Sequence, residues 1–417
     1  MKNKIILFIA LFCNTVVFAQ WNSQSSGTVE NLNEVIFQND NTGYICGNSG
    51  VILKTTNAGS NWGVLNSAVS SDLTSISINP GNNNYVLAVG KTSKLLLTTN
   101  AGSNWTNIPV TPVDFMKVRH ADIFNAYICG TQGRVLFSST AGATWNIVPV
   151  AGVDTLFALA VLSPTTAVVA GEGADKIYRT TNSGVNWTVS PTGVSSLRTV
   201  RDLFFQGPLT GYALVNSGEI LKTVNGGVTW FSYGTVFGSA VNAYRLFIVG
   251  SEAYMSVKSG SQGAIIKNYE AGSGMFWYQQ ETSFVLFGAP SFMFTSAATG
   301  YAVSGIGNIY KTTNSGGSPI GITNTSSEIP EKFSLSQNYP NPFNPETNIE
   351  FAVPYQSHVK LAIYDNIGRE VSLLADEFLS AGVYKVNFNA GNLTSGVYFY
   401  RLMTKESSLT KKMMLIK

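Results

Sequence analysis

One phrase, Thr-x-Asn-x-Gly-x-x-Trp, recurs along the chain and leaves few folds open to it. It stands at Thr55, Asn57, Gly59 and Trp62, and again at Thr98, Asn100, Gly102 and Trp105. It returns as Ser138, Thr140, Gly142 and Trp145, as Thr180, Asn182, Gly184 and Trp187, and as Thr223, Asn225, Gly227 and Trp230. A sixth copy keeps Glu270 and Gly272 but delays its tryptophan to Trp277. A seventh, with Thr312, Asn314 and Gly316, has Pro319 where the tryptophan belongs. Trp21 opens a segment like those that come after the other tryptophans, so the start of the chain is expected to complete the last unit. From Trp21 to Pro319 this gives seven intervals of 40 to 47 residues. Each unit reads as short apolar strands between Gly, Asn and Ser turns, as in Val35 to Phe37, Gly43 to Cys46, Val51 to Thr55 and a last strand at Trp62. Four strands per unit at this period predict a β-propeller, because an open solenoid has no need of its first strand to patch its last unit.

Composition points the same way. Charged residues are only 12% of the 417, while glycine numbers 40. Exposed helix faces are normally built from Glu, Lys and Arg, so an all-β chain with Asn, Ser, Thr and Gly turns is expected. The formal net charge is +3, with no basic run to neutralise a phosphate backbone, and this speaks against nucleic acid. Lys2 and Lys4 precede an apolar run from Ile5 to Phe12, then Val17-Phe18-Ala19, the pattern of an export signal over residues 1–19. No later segment is long and apolar enough to span a bilayer, so a mature chain without a transmembrane segment is expected. Cys46 and Cys129 sit in the same phrase, Tyr-Ile-Cys-Gly, in two non-consecutive units. Equivalent positions in separate units argue for buried strand residues rather than a disulfide. The only histidines are His120 and His358, so neither a metal nor another cofactor is expected.

The repeated phrase resembles the Asp-box, or BNR repeat, with Asn in place of Asp in most copies. The longer unit, Gly-Tyr-x-x-Gly-x-x-Gly-x-Ile-x-Lys-Thr-x-Asn-x-Gly-x-x-Trp, resembles the propeller of the photosystem II stability/assembly factors over about residues 21 to 317. The resemblance implies a seven-bladed β-propeller over residues 20–317 and little about function, because the same box recurs in sialidases, xyloglucanases and surface receptors. Sialidase chemistry would need an arginine cluster, a Tyr/Glu nucleophile pair and an Arg-Ile-Pro phrase that is missing here. Other glycosidases need two facing carboxylates, and none of the fourteen acidic residues of the ring lies in a recognisable catalytic phrase.

Aligning the first inner strand of each unit gives one position that reads Glu34, Ser75, Lys117, Ala158, Asp202, Arg245 and Ser291. Equivalent positions of a propeller face its channel or rim. Arg119, His120, Arg198 and Arg201 lie beside them. Glu34, Lys117, Arg119, His120, Arg198, Arg201, Asp202 and Arg245 are therefore the candidate ligand-binding residues at one mouth of the ring; the alternative is mutual ion pairing that fills the channel.

Residues 318–330 lack periodicity and read as a Ser/Thr/Pro/Gly linker. Beyond it, Asn338-Tyr339-Pro340-Asn341-Pro342-Phe343-Asn344-Pro345 excludes helix, since proline removes donors and forces extended or turn geometry. Alternating segments come next, and they predict a small Ig-like β-sandwich over residues 331–417. The phrases Tyr339 to Pro345, Ile363-Tyr364-Asp365, Gly368-Arg369-Glu370-Val371, Ala381-Gly382-Val383-Tyr384, Ser395 to Leu402 and Thr410-Lys411-Lys412-Met413 resemble the type A C-terminal sorting domain of the type IX secretion system of Bacteroidetes. The resemblance implies passage through the outer membrane, with Pro342, Phe343, Gly382, Gly396, Tyr398 and Lys411 serving the signal or its fold. The chain is accordingly expected to be a secreted or cell-surface, monomeric, non-catalytic propeller. It would engage the secretion machinery and a surface protein or glycan; the alternative is a secreted glycoside-active hydrolase.

Overall fold

The computed structural model describes residues 21–417 apart from 111–112, 173–176, 195–198, 236–241, 250–251, 260–261, 272–273, 280–285, 288–290, 314, 316–321, 327–328, 356, 380 and 391–392. The export signal at 1–19, Arg198, Gly272, Asn314, Gly316 and Pro319 lie outside the described residues. The regular secondary structure among the described residues is strand, apart from one short 3-10 turn at Asn48–Gly50. Propeller-like blades of four antiparallel strands succeed one another. The first runs through Leu32–Phe37, Gly43–Gly47, Ile52–Thr55 and Gly63–Leu65. The next begin at Leu73, Phe115, Thr155, Val200 and Asn242, the sheet from Asn242 carrying a fifth strand, Leu286–Phe287, paired to Gln262–Ala271, and a last sheet is formed by Ser291–Phe294, Gly300–Val303 and Ile309–Thr312. Its outermost strand comes from the other end of the chain, with Asn22, Ser23 and Gln24 pairing with Lys311, Tyr310 and Ile309. The first strand of each blade packs against those of its neighbours, and the first strand of the last blade packs against that of the first.

The repeated phrase is a turn held by its own side chains. Thr55 Oγ1 accepts the N–H groups of Gly59 at 3.0 Å and Asn57 at 3.3 Å and donates to Asn57 Oδ1, which accepts the N–H of Asn61. The same set recurs at Thr98, Thr180 and Thr223. Gly59 has φ of 76° and a Cβ there would lie 2.8 Å from the Tyr301 ring, so only glycine fits. The strand after the turn starts beyond the tryptophan, at Gly63 rather than at Trp62, because Trp62 is drawn into the seam between the first and last blades. In the sixth blade Asn268 replaces the threonine. There the strands run on as a longer hairpin to Ala271 and Gly274. Thr98→Ala is expected to cost about 1–2 kcal/mol, the value of a side chain satisfying turn N–H groups. Thr98→Ser should recover most of it; equal denaturation midpoints for Thr98→Ala and the parent would refute the role.

The Tyr and Lys of the longer phrase bind neighbouring blades together. Tyr44 Oη and Lys54 Nζ both donate to the carbonyl of Ala101, in the box of the next blade. Tyr301 and Lys311 do the same to Ala58 across the junction of last and first blades, and Tyr254 and Lys267 to Ser315. Each apolar cluster of the ring likewise draws on two adjacent blades. Leu87, Val89 and Leu95 meet Phe115, Val118 and Ile128 in one of them, and Trp21 meets Tyr254, Phe292 and Tyr310 in another. Burying both sheet faces in this way leaves little surface for ionised side chains. Cys46 and Cys129 are buried and unbridged strand residues, and burial pushes the Cys129 thiol up to about 12.

After the ring, two four-stranded antiparallel sheets share one apolar cluster that includes Phe343, Phe351, Tyr384, Tyr400 and Met413. The linker expected over 318–330 contains a strand, Ile322–Ser326, paired with Gly382–Asn389. Its β-branched Ile322, Thr323 and Thr325 suit an edge strand, although the stretch shows no alternation of apolar residues.

Candidate functional site

The candidate residues stand on the first strand of their blades, and a repeated irregularity sets what those strands present. At Asn33, Thr74, Met116, Phe157, Arg201 and Tyr244 one extra residue interrupts the pairing with the second strand. A bulge re-aims side chains next to it. Asn33 thereby donates to the Leu73 carbonyl at 2.7 Å and Thr74 to the Phe115 carbonyl at 2.7 Å, each tying its blade to the next.

The aligned position gathers about Glu34. Lys117 Nζ lies 3.1 Å from Glu34 Oε1, and Arg119 Nη2 and Arg245 Nη1 both lie 2.8 Å from it. The other oxygen accepts the Ser75 hydroxyl at 2.5 Å and the Ile76 N–H at 3.0 Å. Lys117 and Arg119 belong to the third blade and Arg245 to the sixth, so these contacts reach across the axis of the ring. Glu34 is 1% exposed, whereas Lys117, Arg119 and Arg245 are 16%, 23% and 15% exposed. Burial alone would push the Glu34 carboxyl up, but the charges of Arg119, Lys117 and Arg245 outweigh it and hold it well below the usual carboxylate range. Glu34 thus pairs directly with three cations, and Asp202 adds a second negative charge that acts on Lys117 and Arg119.

The other candidates divide. Asp202 is buried and its Oδ2 accepts the Leu246 N–H of the next blade at 3.0 Å. His120 Nδ1 is 2.9 Å from Ser77 Oγ, and burial lowers the imidazole to about 4, so it is neutral near pH 7. Both are parts of the seams. Arg201 is different: its guanidinium lies over the Phe157 ring at 4.3 Å and near the Tyr244 ring at 5.9 Å. It makes no hydrogen bond or ion pair to the described residues. Phe157 and Tyr244, which Arg201 lies against, were not among the candidates, although each directly precedes an aligned position. The candidates are marked by charge, which the aromatic rings of Phe157 and Tyr244 at their bulges do not carry. Among the described residues no group of three or more His, Cys, Asp or Glu could hold a metal.

In the C-terminal region Phe343 is buried, and Tyr398 is buried with its hydroxyl on the Thr394 carbonyl at 2.8 Å. Gly382 and Gly396 each begin a strand, Pro342 is exposed, and Lys411 is exposed on the terminal strand Ser408–Leu415.

The sequence profile of the Photosynthesis system II assembly factor YCF48 matches residues 13–151. That of the secretion system C-terminal sorting domain matches residues 337–417. The ring resembles YCF48, and the tail resembles a type IX sorting domain. Among solved structures, a YCF48 bound to D1 peptide shares 17% identity at a TM-score of 0.56, over 72% of this chain and 96% of that one. YCF48 from Cyanidioschyzon merolae shares 15% at a TM-score of 0.55, over 70% and 98%. An ancestral GH74 enzyme shares 12% at a TM-score of 0.54, over 94% of this chain and 63% of its own. At these identities the likeness of the YCF48-like ring is one of fold. No curated protein matches the chain. The sorting tail implies an encounter with the secretion machinery and a destination at the cell surface or outside the cell. No helix among the described residues is long and apolar enough to cross a membrane.

Proposed function

We propose that the chain is a monomeric, exported, seven-bladed propeller followed by an Ig-like sandwich, and that its ring captures a protein or glycan ligand through an anionic group without catalysing a reaction. Residues 1–19 are its Sec signal, 20–317 the ring, 318–330 the connection and 331–417 the sorting domain. The observation that carries the binding reading is Arg201, a guanidinium held against two aromatic rings with its donors unspent among the described residues, on the same set of first strands that brings Lys117, Arg119 and Arg245 to Glu34. A planar guanidinium held in this way is ready to grip a carboxylate or sulfate in two parallel hydrogen bonds. A peptide is one source of such a group, and a YCF48 of this fold has a peptide bound. A glycosidase instead needs a carboxylic acid raised toward neutrality opposite a second carboxylate. Of the acids on the aligned position, Glu34 is held in the opposite direction and Asp202 is engaged by a seam N–H, which favours binding over the hydrolase reading.

The test is capture of surface proteins and acidic glycans by the purified chain, with Arg201→Ala compared to the parent. Arg201→Ala should weaken capture about tenfold, the worth of one charge-assisted hydrogen bond or more. Capture should also fall as salt rises from low ionic strength. Equal capture by both proteins at low salt would remove Arg201 from the site. Hydrolysis of a glycan by the parent would replace binding with the alternative reading.

A further inference from the structure

We infer that the secretion machinery adds a β-strand to the outer edge of the terminal strand, along Ser408 to Lys412. The inference rests on reading residues 337–417 as a sorting domain. On one side every residue of Ser408–Leu415 pairs with Gly396–Met403. N–H groups alternate in direction along an antiparallel strand, and those of Met414 and Ile416 point to the other side, so those of Ser408, Thr410 and Lys412 do too.

On that outer side the chain covers only the far end of the edge. Phe343 N–H donates to the Met414 carbonyl and Ile416 N–H to the Phe343 carbonyl, both at 3.0 Å. Asn341 Oδ1 accepts the Met414 N–H at 2.9 Å, and Gln337 Nε2 donates to the Lys412 carbonyl at 2.7 Å. This segment cannot extend the ladder, because Pro340, Pro342 and Pro345 have no N–H to give. The outward N–H groups of Ser408, Thr410 and Lys412 and the outward carbonyls of Ser408 and Thr410 are left without partners among the described residues.

Side chains mark the same stretch. Ser408, Thr410, Lys411 and Lys412 are exposed, and neither lysine is ion-paired among the described residues. Arg401, on the adjoining strand, reaches Thr410 Oγ1 at 3.2 Å. Lysines keep a free edge from pairing with a second copy of itself. They favour a partner strand that carries Asp or Glu, and main-chain pairing supplies the affinity of such strand addition.

The test is export of the full chain carrying Thr410→Pro. The N–H of Thr410 points outward, so proline removes an outward donor and places a ring on the edge while the inward pairs of Leu409 with Leu402 and Lys411 with Tyr400 stand. The exported fraction should fall by about tenfold or more, the equivalent of one lost hydrogen bond and a clash. The melting curve of the purified chain should not change, and Thr410→Ala should be exported normally. Should Thr410→Pro unfold the tail, the double variant Lys411→Glu with Lys412→Glu decides, with the same drop expected. Parental export of a folded Thr410→Pro chain, or of the double-glutamate chain, overturns the proposal. Normal export after removal of residues 408–417 would instead overturn the sorting reading. Retention of that truncation with normal export of the point variants would overturn the edge proposal alone.

Discussion

Glu34→Ala is expected to destabilise the ring by about 3–5 kcal/mol, the usual cost of removing one partner from a buried ion pair. The size reflects the groups left behind. Lys117, Arg119 and Arg245 would lose the carboxylate they share, with only the more distant charge of Asp202 acting on Lys117 and Arg119, and the Ile76 N–H and Ser75 hydroxyl would lose their acceptor. The loss would be shared by the first, second, third and sixth blades, so the ring should loosen as a whole. Denaturant unfolding of parent and variant measures it, and a difference below about 1 kcal/mol would show the cluster to behave as a screened surface pair. Acid gives a second readout. The folded-state pKa of Glu34 lies below its unfolded value, so its contribution is fully present above the unfolded value of 4.5 and is lost as pH falls through the folded one. Glu34→Ala should therefore flatten the acid limb of the stability profile while lowering its plateau.

Removal of Thr410 to Lys417 should abolish export and leave the chain in the periplasm. The terminal strand places Met413 and Leu415 in the apolar cluster of the tail and pairs along its length with Gly396–Met403. It also anchors Phe343 of the Pro-rich phrase. The truncation thus strips both the folded edge and the segment latched to it. Among the described residues the ring shares no apolar cluster with the tail, so its own unfolding transition should be unchanged. Fractionation of cells that produce the truncated chain decides the matter: normal appearance outside the cell would refute the assignment of the tail.

How much of this was legible in the chain depended on the range of the interaction. The box turns were readable because Thr55, Asn57 and Gly59 bond one another within five residues. The borrowed strand at Asn22–Gln24 was also readable, because the final unit lacks its tryptophan and the segment opened by Trp21 resembles the stretch after each tryptophan elsewhere in the ring. The strand at Ile322–Ser326 was not, since a polar edge strand is specified by its partner rather than by its own pattern. Within the site, charge picked out Glu34, Lys117, Arg119 and Arg245, yet Asp202 and His120 carry the same signal and are spent on seams.

The sequence by itself therefore determined the repeat, its turns, the closing strand and the identity of the tail, all of which rest on local hydrogen bonds or on fixed spacing. Tertiary structure alone decided that one buried carboxylate would hold cations from the third and sixth blades, that Arg201 would lie between Phe157 and Tyr244, and that half of the last edge would stay open. These depend on which residues a closed ring brings together across its axis, and on where a proline-rich segment stops pairing. Neither distance is encoded in the spacing of residues along the chain.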